Sequence, residues 1–488
     1  MLNDPFVTRD FQTAYLLAFG IMHRLSGTDT HNLRMETPEQ PMTACGMFML
    51  DTSTMPGGYS FEAFRDKLSG QIAALPEFRM KLADSALNLD NPVWVDDPDF
   101  ELDNHLHRIE LPAPGGPQEL SELAARLVAE RMARDRPVWD MWVVEGLVDA
   151  DPGLKANVAV ILRMQHVLAD GPTALNIFSR LCSTEADPPP PEPIAGVGTV
   201  SKRRIVLDGL VRFACKPWYL TKTLWSALVA VLFDVRKLRR SAGGKSVPGW
   251  FRMPNAPRTP FNGNITNSRT AAYVQLNLTD VKAVKDRFGV TVNDVMLAVL
   301  SGALRRFLLD RNALPQAALL TMMPVAVSDP ARASRNQFAI RMTSLHSDMA
   351  DPAERIVAIA EMSSLAKQHT SAIGASLLQD WLQCIPGLLA IGGRFYKWSG
   401  FSERRPVYNL GMSNVRGAET QEYLLGAAIT GRYAFGPIVH GCGLQTVVMS
   451  LNGKLDVGLV CCPDLVPDLW DLADGIPAAL RELQTAAG

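Results

Sequence analysis

Apolar side chains recur along the chain at two spacings, and each spacing predicts one kind of element. After Thr291, apolar residues at steps of three and four predict a core helix that reaches about Leu309. Continuous apolar and β-branched runs predict buried strands, most clearly at Val158 to Met164 and at Lys454 to Cys461. The mixture of the two patterns indicates a fold that combines helices and sheets.

Weaker patterns add further elements. Asp351 can cap a helix that has Pro352 at its first position, and Glu354 completes an arrangement like a capping box. The other predicted helices lie at Ser60 to Leu75, Leu120 to Met132 and Pro467 to Leu483, and the other predicted strands at Leu319 to Val327, Val407 to Gly411 and Leu444 to Ser450.

A proline-rich stretch from Asp187 to Thr199 separates two such patterns, because its prolines sustain neither a helix nor a strand ladder. We therefore predict an N-terminal domain over residues 1–186, a connection over 187–259 and a C-terminal domain over 260–488. The connection contains an apolar and basic segment, Ile205 to Arg240, with two open interpretations. It is either an amphipathic helix at a lipid surface or a helix packed between the domains.

Charge and hydropathy narrow the function classes. The 488 residues carry 48 Lys and Arg against 50 Asp and Glu, so the net charge of -2 gives no basic footprint for nucleic acid. The mean hydropathy of +0.04 is high, yet the most apolar run, Leu224 to Phe233, is too short to span a membrane. No secretory signal is evident, and an odd number of cysteines, seven, suits a reducing compartment. We expect a cytoplasmic protein.

Several common sites are absent from the sequence, namely the GxSxG elbow, HExxH, the P-loop and the GxGxxG fingerprint. Asp103, His105 and His107 alternate, and on a strand they would share one face, which permits metal binding. Because no fourth ligand stands at a recognised spacing, partly exposed strand side chains are the alternative, and no metal site is predicted.

The most informative stretch follows the predicted strand Val158 to Met164. His166 stands there with Asp170 four residues later and Gly171 next, and a helical pattern comes after them. A positioned neutral imidazole takes a hydroxyl proton and returns it to a leaving group, while a glycine leaves space beside the ring. On spacing alone, a structural histidine followed by Asp170 as a helix cap remains the alternative.

At these residues the sequence resembles the bacterial wax ester synthase/diacylglycerol acyltransferases, within the larger group of chloramphenicol-acetyltransferase-like enzymes. The family motif HHxxxDG stands here as Gln165 to Gly171, with Gln165 in place of the first histidine. Six further stretches resemble family motifs in the same order: Glu36 to Met42, Arg136 to Asp140, Pro260 to Gly263, Val292 to Val295, Ser413 to Gly417 and Ser450 to Gly453.

The resemblance implies two similar α/β domains with mixed sheets and an active-site tunnel between them. It also implies catalysis by His166, Asp170 and Gly171, with acyl-CoA as a co-substrate and no cofactor. Asp170 is expected to orient its loop, with direct participation in catalysis as the alternative. The replacement of the first histidine by Gln165 weakens a two-histidine mechanism but leaves the base in place.

The remaining motif residues lie in the second half of the chain. Asn262 and Gly263 form a turn on local chemistry, and the resemblance alone implies that they shape the pocket. Ser413 and Asn414 are candidates to stabilise the oxyanion. Asn293 and Asp294 follow Thr291 in a capping-box pattern, so we interpret them as structural.

The resemblance favours transfer of a long acyl chain from CoA to diacylglycerol, giving triacylglycerol, at a membrane surface or lipid droplet. A fatty alcohol, giving wax esters, is the alternative acceptor. An enzyme that uses a carrier-protein thioester shares the fold, but the motifs at Asn262 and Asn293 count against it. A catalytically inert protein that binds lipid or coats droplets is the alternative of another class. No nucleic-acid partner is predicted.

Overall fold

The computed structural model describes residues 22–85, 90–148, 157–168, 180–215, 221, 256–326, 338–369 and 388–487. The predicted catalytic residues Asp170 and Gly171 lie outside these ranges, as does most of the predicted segment from Ile205 to Arg240.

Helices and strands alternate along the described chain. The helices are α1 (Gly27–Met35), α2 (Phe61–Ala73), α3 (Pro117–Ala129), α4 (Leu278–Phe288), α5 (Val292–Asp310), α6 (Pro352–His369), α7 (Leu388–Trp398), α8 (Phe401–Arg404) and α9 (Leu469–Ala487), together with a helical segment at 202–215. The strands are β1 (Thr43–Asp51), β2 (Met80–Ala83), β3 (Val93–Asp96), β4 (Leu106–Glu110), β5 (Trp139–Glu145), β6 (Val158–Gln165), β7 (Cys182–Ser183), β8 (Thr270–Asn277), β9 (Leu320–Ala326), β10 (Phe338–Ser344), β11 (Leu410–Val415), β12 (Tyr423–Leu424), β13 (Ala427–Phe435), β14 (Leu444–Leu451) and β15 (Lys454–Cys461).

The first large sheet has seven strands in the order β4-β5-β6-β1-β13-β12-β7. Only the β4–β5 pair is parallel, and the central strand β1 is antiparallel to both β6 and β13. β12 and β13 come from the second half of the sequence, so the two halves are joined through this sheet as well as through the connection. Thr43 of β1 pairs with Gln165 at the end of β6, which fixes where the residue after that strand lies.

The second large sheet has six strands in the order β10-β9-β11-β14-β15-β8. β11 is parallel to both of its neighbours, while the other pairs are antiparallel. Buried side chains of α5 and α9 pack on this sheet in one hydrophobic cluster. α3 contacts β1 and β8, which belong to different sheets, and so helps to hold the two halves together.

The predicted fold class, with mixed sheets in two α/β halves, is confirmed. The helix predicted from Thr291 spans Val292–Asp310 behind a capping box of Thr291 and Asp294, and the Asp351 carboxylate caps α6 as expected. The strand from Lys454 to Cys461 has the predicted bounds. Asn452 and Gly453 have positive φ angles of 43° and 76°, as a two-residue turn between antiparallel strands requires.

One predicted strand is wrong in its bounds. The sequence predicted Val407 to Gly411, but β11 covers Leu410–Val415, because its pairing with β9 begins only at Leu410 and its pairing with β14 at Gly411. The side chain of Asn409 instead accepts a hydrogen bond from the backbone N–H of Leu320 and donates one to the Pro257 carbonyl.

The stretch from Asp187 to Val200 has no helix or strand, as the prolines predict. It packs on the first half, where the Asp96 carboxylate accepts hydrogen bonds from the backbone N–H groups of Val197 and Gly198. Among the described helices, none has by itself the length and apolarity to cross a membrane. Taken together, α4 and α5 are long and apolar enough, but the two helices are bent by 101° relative to each other.

Candidate active site

His166 directly follows β6, and backbone hydrogen bonds fix its place. Its N–H donates to the Met42 carbonyl at 2.8 Å, and the N–H of Leu168 donates to the Gln165 carbonyl at 2.9 Å, closing a turn. The turn carries the side chain out of the sheet, so that His166 is only partly buried although every residue of β6 is buried. An imidazole at the end of a rigid strand is well placed to meet a substrate.

The surroundings of His166 keep the imidazole neutral. Burial lowers its pKa below the ordinary value, while a hydrogen bond to its own backbone carbonyl opposes the shift. An imidazole with its proton on Nδ1 has a free lone pair on Nε2, which is the form that a base requires.

Asn32 of α1 is the second neighbour of Nδ1, with its Nδ2 atom 3.3 Å away. The amide nitrogen and oxygen of an asparagine exchange places on rotation about the last bond, and the hydrogen-bond network decides between them. With Nδ2 against it, Nδ1 accepts the hydrogen bond and the ring proton lies on Nε2. A free lone pair on Nε2 requires the other orientation of the amide, with Oδ1 against Nδ1–H. Sequence reasoning missed Asn32. The available signal was a helix start at Ser26 and Asp29, whose capping box opens α1.

Gln165, which replaces the family's first histidine, joins the turn to the first half. Its Oε1 accepts a hydrogen bond from the N–H of Val167 at 2.7 Å, and its Nε2 donates to Glu36 at 3.1 Å. Glu36 in turn accepts from Arg131 at 2.6 Å. Gln165 is buried, so its amide acts by holding the turn that carries His166.

The motif Arg136 to Asp140 supports the same strand from the other side. Asp140 accepts two hydrogen bonds from the guanidinium of Arg163, which lies on β6, and both side chains are almost fully buried. The indole of Trp139 donates to the Phe78 carbonyl at 2.7 Å, and the Val138 carbonyl accepts from the N–H of Gln165 at 3.0 Å. This motif therefore positions β6 and the turn after it.

In the second half, the structure brings two predicted residues together. The amide of Asn414, on β11, donates to Oδ1 of Asn293 at the start of α5, at 3.2 Å. Both Ser413 and Asn414 lie inside β11 and are partly buried, rather than after a strand as predicted. Asp294 accepts bonds from the backbone and hydroxyl of Thr291, which is the predicted capping role.

Asn262 and Gly263 have protein partners in the same half. Nδ2 of Asn262 donates to the Tyr408 and Gly441 carbonyls at 3.0 and 2.8 Å, and Oδ1 accepts from Asn409 at 2.8 Å. A Cβ atom on Gly263 would lie 2.9 Å from a terminal methyl of Leu465, so the turn packs closely against that side chain. Asn262 anchors the residues just before β11. In the part of the chain that is described, no hydrogen bond joins His166 to Asn262, Ser413 or Asn414.

A cavity of about 200 Å³ lies near this site, between the two halves of the chain. Its walls come from the end of α1 and the connection to β1, from α7, from the residues before β11 and from the loop after β13. The lining residues are Met35, Thr37, Gln40, Ala390, Gly393, Arg394, Tyr396, Lys397, Val407, Tyr408, Val439, His440, Gly441 and Cys442. That connection also supplies Met42, whose carbonyl holds the backbone of His166. The predicted tunnel stays a prediction, but the cavity shares a wall element with the histidine.

The interpretation of Asp103, His105 and His107 as one strand face is wrong. Residues Leu102–Asn104 form a 3₁₀ turn, so only His107 belongs to β4. His105 stacks on Trp139, and Asp103 pairs with Arg65 on the surface. Among the described residues, no group of three His, Cys, Asp or Glu side chains is placed to hold a metal ion.

Comparisons with known proteins match nearly the whole chain. Residues 25–296 match the wax ester synthase/diacylglycerol acyltransferase catalytic domain, and residues 335–484 match the C-terminal domain of the same family. A Mycobacterium tuberculosis protein whose name gives diacylglycerol O-acyltransferase as its inferred activity is 47% identical over 95% of this chain and 90% of its own.

Comparison with solved structures gives the same family. The wax ester synthase/diacylglycerol acyltransferase from Marinobacter aquaeolei VT8 superposes with a TM-score of 0.69 at 25% identity, over 96% of this chain and all of that one. The starter condensation domain of rhizomide synthetase has a TM-score of 0.53 at 13% identity, over 97% of this chain and 96% of that one, and so shares the fold. The chain belongs to the wax ester synthase/diacylglycerol acyltransferase family.

Proposed function

We propose that the protein transfers a long acyl chain from CoA to the free hydroxyl of diacylglycerol, with His166 as the general base. The observation that carries this proposal is the partly buried imidazole held directly after β6, with Nδ1 against Asn32, within a chain that matches the family's catalytic domain. The name of the M. tuberculosis relative supports diacylglycerol as the acceptor.

The reaction balances without a covalent enzyme intermediate. Nε2 of His166 removes the hydroxyl proton as the oxygen bonds to the thioester carbonyl carbon. The carbon–sulfur bond then breaks, and the imidazolium gives its proton to the departing CoA thiolate. General-base action contributes about 10² to 10⁴ in rate, so orientation of two bound substrates supplies much of the rest.

The amide of Asn414 is a candidate to stabilise the oxyanion that forms in this sequence. One of its two N–H groups is given to Asn293, which fixes the direction of the other. Asn293 therefore acts as a positioning residue for Asn414 in this proposal. Ser413 is the neighbouring candidate, and the bonds of Asn262 to the residues before β11 set the position of the strand that carries both.

The proposal includes acyl-CoA as a co-substrate, no cofactor, and a cytoplasmic protein attached peripherally to the inner membrane face or to lipid droplets. A diacylglycerol acceptor dissolves in lipid, so the enzyme must reach a lipid phase to obtain it. The helix at 202–215 contains residues 205–215 of the predicted lipid segment, and ion pairs of Asp208 with Arg24 and of Arg212 with Asp90 hold it on one face. Leu207 and Leu210 are exposed there.

One assay tests the acceptor. Purified protein is given labelled palmitoyl-CoA with diacylglycerol, with hexadecanol, or with no acceptor, and both free thiol and lipid products are followed. We expect triacylglycerol and thiol in equal amounts with diacylglycerol. Ester formation from hexadecanol alone would make the protein a wax ester synthase. Absence of both ester and thiol with every acceptor would favour an inert lipid-binding protein.

A further inference from the structure

The outer side of α7 exposes a row of large apolar side chains. Ile391, Phe395 and Trp398 are 66%, 56% and 82% exposed, and Phe401, which opens α8, is 45% exposed. The first three are spaced by four and three residues, which places them on one side of the helix. We call these four side chains the α7 apolar face. The rings of Phe395 and Trp398 are 5.8 Å apart, so they form a contiguous surface.

Basic side chains border the α7 apolar face. Residues 388–405 contain Arg394, Lys397, Arg404 and Arg405 against the single acid Glu403, a net charge of +3. Of these, Arg394, Arg404 and Arg405 are exposed. A row of Trp, Phe and Ile with Arg and Lys beside it is the composition of helices that lie in a membrane interface and pair with anionic headgroups.

The inner side of the same helix faces the cavity beside the site. Ala390, Gly393, Tyr396 and Lys397 line it, and α7 also packs against α1, the helix that carries Asn32. One helix therefore separates the exposed apolar face from the cavity by its own thickness, about 10 Å.

We propose that the α7 apolar face docks on an anionic phospholipid surface and so places the cavity next to the lipid that supplies the acceptor. The choice of a lipid surface rests on the proposed function, while the location rests on the exposed row and its basic border. Docking buries Ile391, Phe395 and Trp398 among acyl chains and sets Arg394, Arg404 and Arg405 against lipid phosphates. A second copy of this chain would find no acidic border on α7 to match the basic one.

Sedimentation with vesicles tests the proposal without any substrate, so its result does not depend on catalysis. The vesicles contain phosphatidylglycerol and phosphatidylcholine in equal parts, or phosphatidylcholine alone. The test variant is Ile391→Ser/Phe395→Ser/Trp398→Ser, and the matched control is Leu309→Ser/Val357→Ser, at exposed apolar positions of α5 and α6. Analytical ultracentrifugation without vesicles gives the oligomeric state of each protein, and circular dichroism verifies folding.

We expect wild type and the control to bind the anionic vesicles, and the triple variant to bind them about tenfold or more weakly. Binding should weaken with added salt and on phosphatidylcholine alone, because headgroup charge contributes. Equal binding by the triple variant and wild type would overturn the proposal, as would loss of binding only in the control. A wild-type dimer that the triple substitution dissociates would assign the face to a second copy instead. Vesicle binding and acyl transfer are measured in separate assays. Failure of acyl transfer therefore leaves the docking proposal intact, and failure of vesicle binding leaves the proposed activity intact.

Discussion

Asn32 and His166 are far apart in the sequence, yet the Asn32 amide lies against the imidazole, with Nδ2 3.3 Å from Nδ1. A side chain at Nδ1 selects which ring nitrogen keeps its lone pair. The orientation of the Asn32 amide therefore selects the tautomer of His166.

Asn32→Asp tests this relationship through pH. A carboxylate beside Nδ1–H favours the charged imidazolium, so the pKa of His166 rises and the inactive protonated form persists to higher pH. We expect the acidic limb of the pH–rate profile to move upward by about one unit. Asn104→Asp, at an exposed position of the same half, is the control for added charge. An unmoved limb in Asn32→Asp would show that Asn32 does not act on the imidazole.

Gln165 offers a test of the turn itself. Gln165→Leu leaves the N–H of Val167 and an oxygen of Glu36 without their present partner, at a cost of about 1–3 kcal/mol in the free energy of unfolding. Gln165→His restores the family's residue and a ring nitrogen that can bond, so it should cost less. Urea unfolding compares the two, and equal stability of Gln165→Leu and wild type would contradict the role given to this amide.

The buried pair of Arg163 and Asp140 should be worth far more than a surface pair. Arg163→Met leaves the Asp140 carboxylate buried and uncompensated, which lowers the free energy of unfolding by about 3–5 kcal/mol. The double variant Arg163→Met/Asp140→Leu should recover part of that loss. As a control, Arg65→Met breaks the exposed pair with Asp103 and should change stability little. Similar losses in the two single variants would refute the distinction.

The buried carboxyl of Asp456 should make the free energy of unfolding depend on pH. Burial on β15 raises the pKa of this carboxyl from an ordinary 3.8 to about 7, against bonds from Gln275 and the backbone of Arg432 that favour the charged form. Between these two pH values, the Asp456 carboxyl is therefore protonated in the native state and ionised in the unfolded state. The free energy of unfolding should fall as the pH rises through this window.

Denaturant midpoints for wild type and Asp456→Asn measure the effect, with one series near each end of this pH window. The variant cannot titrate at this position, so its midpoint should change less between the two conditions. If both proteins show the same dependence, the carboxyl is already charged in the folded protein.

Local chemistry predicted much of the fold because the relevant bonds are local. The capping box of Thr291 and Asp294 and the cap at Asp351 each depend on residues a few positions apart. Strand Val158–Gln165 was visible because a strand buried on both sides reads as one apolar run. The position of His166 after that strand follows from the same pattern.

The rest depends on pairing between distant segments, which periodicity does not encode. β13 enters the first sheet beside β1, and Asn32 meets His166 only because α1 packs there. We predicted a strand that starts at Val407, while the pairing of β11 starts only at Leu410, against β9. His105 alternates with His107 in sequence, but the turn before β4 rotates it into a stack on Trp139.

The rate of ester formation by His166→Ala, with saturating acyl-CoA and diacylglycerol, tests the central claim most directly. We expect a fall of about 10² to 10⁴ relative to wild type, with the denaturant midpoint unchanged. A variant that retains more than half of the wild-type rate would contradict the assignment of His166 as the general base.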